Sequence, residues 1–281
     1  MRKIDYEKIV EVVREACQNA NYELEEDMVD ALQTAKESED SPVAGDVLKQ
    51  LLDNAAIAKA ERLPMCQDTG TVVCFVEMGE NCTVVGGNVN HAINQGVREG
   101  YEEGYLRHSI VAHPLTRKKN NEMNTPAIIH FEHVPGDQLR IQLTAKGGGA
   151  ENMSQLRMLT PSAGVEGVKA FVLETVKAAG PNACPPIIVG VGIGGNFEKC
   201  AVLAKKSLFR SIGERSQDHQ TAQLEEALIN EINELGIGPQ GLGGKTTAID
   251  VNIELEACHI AALPVAVNLN CHAVRHRTLL F

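Results

Sequence analysis

At Pro64 the hydrophobic pattern of this chain changes period, and that switch constrains the fold more than any other feature. Upstream, apolar residues recur at helical spacing, and Ile9, Val10, Val13, Cys17 and Ala20 place an amphipathic helix over residues 3–20. A second, acidic helix covers residues 24–38. Asp40-Ser41-Pro42 opens a third, with Ser41 as N-cap and Pro42 in the first turn. That helix carries Val47, Leu48, Leu51, Leu52, Ala55 and Ala58 towards Pro64. Downstream, Val72-Val73-Cys74-Phe75-Val76 is strand-like. The junction, Leu63-Pro64-Met65-Cys66-Gln67-Asp68-Thr69-Gly70-Thr71, sets a thiol, an amide, a carboxylate and a hydroxyl on one short turn. Such junctions let the backbone aim several side chains at one point. Cys66 beside Asp68 suits a metal ligand beside a proton donor. Taken alone, it is equally an Asp-Thr-Gly turn with a half-buried cysteine.

Beyond the switch, helices and strands alternate, which predicts an α/β fold with mixed sheets and a helical N-terminal portion. After a strand at 71–78, Gly86-Gly87-Asn88 leads into a helix through Arg107, whose polar face includes Arg98, Glu102, Glu103 and Arg107. Residues 127–134 and 138–145 alternate about Pro135-Gly136-Asp137, a hairpin signal. The second of these strands runs into Lys146-Gly147-Gly148-Gly149, where a glycine run can bring backbone N–H groups close to a ligand or can simply turn the chain. A helix over 164–179 stops at Gly180, and Cys184-Pro185-Pro186 then holds a thiol on a stiff segment before the strand 187–191. The most loop-like stretches are 108–126 and 236–247; neither resembles a tether, so residues 1–281 read as a single elaborated domain.

Two glycine motifs are decoys. Gly190-Val191-Gly192-Ile193-Gly194-Gly195 matches the dinucleotide fingerprint, but the helix at 196–210 is followed by another at 217–235 where a second strand is required. Gly241-Leu242-Gly243-Gly244-Lys245-Thr246-Thr247 resembles a phosphate loop whose opening glycine falls at Pro239, after a helix instead of a strand.

Composition narrows the function classes. A formal net charge of -11 disfavours nucleic-acid and anionic-membrane binding, while a local cluster of cations still suffices for a small anion. Trp is absent and aromatic residues are few, so the core must be aliphatic. No apolar run approaches the roughly 20 residues of a membrane span, and the charged, helical N-terminus is unlike an export signal. The eight cysteines are scattered, which reads as reduced thiols in a cytoplasmic protein, some available to a metal. Cys17 and Cys74 read as small core hydrophobes. Cys271, set among His272, Arg275 and His276, has an electropositive neighbourhood that favours thiolate.

Cys66-Gln67-Asp68-Thr69-Gly70, Lys146-Gly147-Gly148-Gly149, Cys184-Pro185-Pro186, Ile193-Gly194-Gly195, the run from Gly238 to Lys245, and Cys271-His272-Ala273-Val274-Arg275 occur together and in this order. With them the chain resembles the alpha subunit, or N-terminal domain, of class I fumarate hydratases and L(+)-tartrate dehydratases. The resemblance covers nearly the whole chain. It implies a [4Fe-4S] cluster held by Cys66, Cys184 and Cys271, with one iron left open, although these cysteines are far more widely spaced than in ferredoxins. It implies Asp68 as catalytic acid, Gln67 and Arg107 as substrate contacts, Gly147, Gly148 and Gly149 as backbone donors, and His259 as an active-site histidine. It also implies a separate beta subunit supplying the catalytic base and further substrate contacts, a dimer of alpha–beta pairs, and a small dicarboxylate substrate. The leading activity is reversible hydration of fumarate to (S)-malate, a tricarboxylic acid cycle step, with L(+)-tartrate dehydration to oxaloacetate as alternative. A non-catalytic iron–sulfur protein and a zinc site from Cys258-His259 with Cys271-His272 are the remaining readings. Cys82, Cys200 and Cys258 receive no role.

Overall fold

In the computed structural model, which describes residues 1–120 and 123–281, the first charged residues form a strand, not the start of a helix. Strand β1 (Arg2–Asp5) ends at Asp5, whose carboxylate accepts from the Glu7 N–H and caps α1 (Tyr6–Tyr22). Two helices follow, α2 (Glu26–Ser38) and α3 (Pro42–Glu61), the latter opened by Ser41 as its sequence requires. Then come β2 (Thr71–Gly79), β3 (Cys82–Val85), α4 (Val89–Glu103), β4 (Val111–His113), β5 (Lys118–Lys119), β6 (Ile128–Val134) and β7 (Leu139–Lys146). The short α5 (Gly148–Glu151) precedes β8 (Gln155–Leu159), α6 (Gly164–Ala179) and β9 (Ile187–Gly195). The chain continues through α7 (Phe197–Ser207) and α8 (His219–Glu234), and closes with β10 (Ala248–Cys258), β11 (Leu263–Asn270) and β12 (His276–Leu280). The expected class, α/β with mixed sheets behind a helical N-terminal portion, is what forms. Asn121 and Glu122, within the loop-like 108–126 stretch, lie outside the described residues.

The chain divides into two compact units. The first comprises Met1–Leu24, Ala55–Gly148 and Arg275–Phe281. Its four-stranded sheet has the order β12-β7-β2-β6, with β2 antiparallel to β7 and parallel to β6. Val72, Cys74 and Val76 of β2 and Leu139, Ile141 and Leu143 of β7 share a core with Ile9 and Val13 of α1 and Ile93 and Val97 of α4. This alternation buries one face of each strand at about 25 cal/mol per Å² of apolar area. Burial drives the Cys17 thiol up and that of Cys74 to about 12, so both are inert core residues as expected. The hairpin expected from 127–134 and 138–145 does not form, because β2 lies between its two strands. Pro135-Gly136-Asp137 instead carries the chain over the end of β2, where the Asn81 N–H donates to the Gly136 carbonyl.

The second unit comprises Glu25–Asn54 and Gly149–Val274. Its sheet has the order β10-β9-β11-β8. On one face, Phe171, Val172 and Val176 of α6 and Leu228 and Ile232 of α8 pack against Val189, Val191, Val251, Val265 and Val267. On the other lies α7, and here the glycine decoy is explained. Gly190 and Gly192 are interior to β9, and a Cβ on either would stand 2.1 or 2.0 Å from the α7 carbonyls of Ala204 and Cys200. They let a helix backbone approach, not a pyrophosphate.

Edge strand β10 is covered by side chains, which blunts its free hydrogen-bonding edge. The Ile253 N–H donates to Glu225 Oε1 (2.8 Å), while Arg210 and Arg215 donate to the carbonyls of Ile253 and Val251. Glu225 is fully buried and ion-paired to both arginines. Truncating one member of such a buried network leaves uncompensated charge, so Glu225→Ala should cost about 3–5 kcal/mol. Urea unfolding checks this, and a midpoint equal to wild type would show the network to be dispensable.

Candidate active site

In the first unit the Cys66 turn is organised by three strand ends. Thr71, where β2 begins, pairs with Lys146, where β7 ends, and His276, where β12 begins, pairs with Thr144. Residues 68–70, 146–148 and 275 therefore meet at one end of the sheet. Asp68 uses its whole carboxylate there: Oδ1 accepts from the Gly70 N–H (3.0 Å) and Oδ2 from the Gly148 N–H (2.7 Å). Its own carbonyl accepts from the buried Arg275 guanidinium. Behind the turn, the Tyr101 hydroxyl donates to the Thr69 carbonyl (2.6 Å), and the Asn124 amide to that of Gly70 (2.7 Å). The Thr69 hydroxyl donates to the Arg107 carbonyl (3.0 Å), tying that segment beside the turn. The Gln67 and Arg107 side chains are exposed and Cys66 is half-buried. Of the glycine run, Gly148 spends its N–H on Asp68, and Gly147 lies where a Cβ would stand 2.8 Å from Arg275 Nη2.

In the second unit, Cys184 and Cys271 flank one end of the sheet, since Ile188 of β9 pairs with Asn270 of β11. Cys184 takes a left-handed backbone conformation (φ 54, ψ 62), uncommon for a residue with a side chain. Its carbonyl lies 3.1 Å from His272 Nδ1. Gln240 completes the tie: its N–H and side-chain amide both donate to the Pro185 carbonyl (2.7 and 2.8 Å), and the amide lies 3.3 Å from His272 Nδ1. The glycine-rich loop around Gln240 is thus a clamp on the two cysteine segments. Gly149 also belongs to this unit, near the Asn182 carbonyl.

His259 is placed elsewhere. It is exposed in the connection between β10 and β11, and the length of β11 puts about 20 Å between it and Cys271. That separation removes the zinc reading, because Cys258-His259 and Cys271-His272 stand at opposite ends of one strand. Cys82 and Cys200 are buried, which raises both thiols, whereas Cys258 is exposed. Among the described residues no group of three or more His, Cys, Asp or Glu side chains is arranged to hold a metal ion. No helix among them is long and apolar enough to cross a membrane.

Sequence reasoning did not single out Gln240, Tyr101, Asn124 or Arg275 as site residues. Gln240 and Arg275 lie inside the family motifs, and Arg275 reads there only as a cation near Cys271; Tyr101 and Asn124 carry no signal in the sequence.

Comparison with known proteins shows the family. The model of the family described as fumarate hydratase (fumerase) matches residues 10–279. A Methanocaldococcus jannaschii protein, provisionally named L(+)-tartrate dehydratase subunit alpha, is 45% identical over 273 residues, 95% of each chain. The L(+)-tartrate dehydratase subunit alpha of Escherichia coli O157:H7 is 36% identical over 276 residues, 97% of this chain and 90% of the relative. That of Escherichia coli K12 is 35% identical with the same coverage.

The Asp68 end of the sheet also carries a titratable group with a defined pH consequence. Burial, then the charges of Lys146, Arg277 and Arg275, push the His276 imidazole down from 6.5 to about 3. The unfolded chain binds a proton near pH 6.5 that the folded chain refuses. Stability should therefore fall as pH drops from about 6.5 towards 3, by up to about 1.4 kcal/mol per pH unit from this residue. Between about pH 7.5 and about pH 5, wild type should lose more urea resistance than His276→Phe. Equal losses would contradict the assignment.

Proposed function

This chain belongs to the fumarate hydratase (fumerase) family, and we propose that it is the alpha subunit of a two-subunit iron–sulfur hydro-lyase hydrating fumarate to (S)-malate reversibly. The observation that carries the chemistry is the Asp68 carboxylate, oriented by the Gly70 and Gly148 N–H groups next to Cys66. A non-catalytic iron–sulfur protein has no use for such a group. A second reading, dehydration of L(+)-tartrate to oxaloacetate, is favoured by the names of the relatives. The partner is a beta subunit, consistent with those names, and the cell compartment is the cytoplasm. A dimer of alpha–beta pairs is the assembly we propose.

Cys66, Cys184 and Cys271 would hold a [4Fe-4S] cluster. They fit it by chemistry: thiolate is the iron–sulfur donor, and these three are half-buried on turns at strand ends, while Cys17, Cys74, Cys82 and Cys200 are buried. When bound, the cluster supplies an iron with an open position, a Lewis acid for a hydroxyl and a carboxylate oxygen.

The protein's own part in dehydration is proton delivery and positioning. As the C–O bond of malate breaks, the Asp68 carboxyl gives its proton to the departing oxygen, which leaves as water. The proton on the neighbouring carbon goes to a base on the beta subunit, and the C=C bond of fumarate forms. Arg107 grips a substrate carboxylate with its planar fork, a match that lysine lacks. Gln67 donates to the substrate, and Gly147 to Gly149 bring backbone close to it. His259, assigned from family position, would contact a substrate carboxylate or tune Asp68; it is exposed in the connection between β10 and β11.

Two experiments test this reading. Cys66→Ser, Cys184→Ser and Cys271→Ser should each lower iron and sulfide content after anaerobic reconstitution, and Cys82→Ala should not; equal losses in all four would undo the ligand set. In the assembled enzyme, Asp68→Asn should reduce kcat by about 10²- to 10⁴-fold with the cluster's visible absorption retained. Arg107→Lys should mainly raise KM. Near-normal turnover of Asp68→Asn would remove the acid assignment.

A further inference from the structure

Arg275 is among the largest fully buried side chains of the protein, yet among the described residues it makes no ion pair with a carboxylate. Its Nη1 donates to the Asp68 carbonyl and to Asn21 Oδ1 (3.4 Å), and its Nε is buried without a partner. A buried guanidinium outside any close ion pair is a poor way to stabilise a fold, since taking a charge out of water is costly. Its placement is nonetheless specific. The guanidinium sits beneath the Asp68 turn, and Gly147 stands between it and the carboxylate: a Cβ there would meet Arg275 Nη2 at 2.8 Å and Asp68 Oδ2 at 3.6 Å. Asn21 is itself fixed, donating from its side-chain amide to the Cys17 carbonyl (2.9 Å) and accepting at its backbone carbonyl from the Met65 N–H (3.0 Å). The anchor therefore reaches from α1 to both sides of Cys66.

We propose that Arg275 is a positioning residue for the reaction: it fixes the Asp68 peptide so that the carboxyl group is aimed by Gly70 and Gly148, and Gly147 lacks a side chain to leave room for the guanidinium. This rests on the reading of Asp68 as proton donor. Arg275 acts through Asp68 and does not touch substrate. Its loss therefore lowers kcat and leaves KM in place, because misplacing a reacting group by an ångström can cost about 100-fold.

The test uses the assembled alpha–beta enzyme carrying Arg275→Met, Gly147→Ala, Asp68→Asn or the Asp68→Asn/Arg275→Met pair, with kcat, KM for (S)-malate and the thermal midpoint measured for each. Arg275→Met should lower kcat about 100-fold with KM within about threefold and the midpoint within about 5 °C of wild type. Gly147→Ala, which keeps the charge and displaces the guanidinium, should lower kcat about tenfold. The pair should be no slower than Asp68→Asn alone. If Arg275→Met does not fold, Arg275→Lys, which keeps the charge and loses the planar fork, decides by the same split of kcat from KM. A raised KM with normal kcat would make Arg275 a substrate contact and overturn the proposal. So would normal kcat in Arg275→Met and Gly147→Ala beside a slow Asp68→Asn, which leaves the Asp68 reading standing. Near-normal turnover of Asp68→Asn would end both.

Discussion

The hydrogen bond from the Gly148 N–H to Asp68 joins residues 80 apart in sequence, and the first unit is built so that it can form. The antiparallel register of β2 with β7, Thr71 opposite Lys146, delivers the two turns to the same sheet end. Slipping that register by one residue would turn Val72, Cys74 and Val76 out of the core, so burial of these side chains also fixes the turn geometry. The Asp68 position is thus over-determined by the aliphatic core beneath it. The groups that seal it from behind, Tyr101, Asn124 and Arg275, come from three further segments.

The second unit solves a similar problem with different parts. Cys184 is held in a left-handed conformation by its neighbours, and Gln240 and His272 bind that segment to the chain beyond β11. The sheet end is the shared device. Strands that start and stop side by side bring together residues that sequence keeps far apart, and loops at those ends carry the reactive side chains.

Much of this was legible in the chain where order is local. The switch at Pro64, the start at Ser41-Pro42 and the helix over 164–179 with its stop at Gly180 were readable because periodicity and capping act over a few residues. Pairing was not. The turn at Pro135-Gly136-Asp137 promised a hairpin, and only the insertion of β2 between its strands, a long-range event, cancels it. The short edge strands β8 and β12 carry too weak an alternation to be read. Cys66, Asp68, Cys184 and Cys271 stood out as motifs, whereas Gln240 and Arg275 acquire meaning only from what they touch. His259 shows the converse: a family position names it, and strand geometry carries it away from Cys271.

The most direct measurement of the central claim is a pair of parallel assays on protein co-purified anaerobically with its beta subunit and on this chain alone. The complex should interconvert (S)-malate and fumarate, and turn over L-tartrate more slowly, while the isolated chain does neither. Faster turnover of L-tartrate would replace the fumarate assignment with the tartrate one. A complex with intact iron and sulfide that acts on neither substrate would contradict the account of this chain as a hydro-lyase subunit.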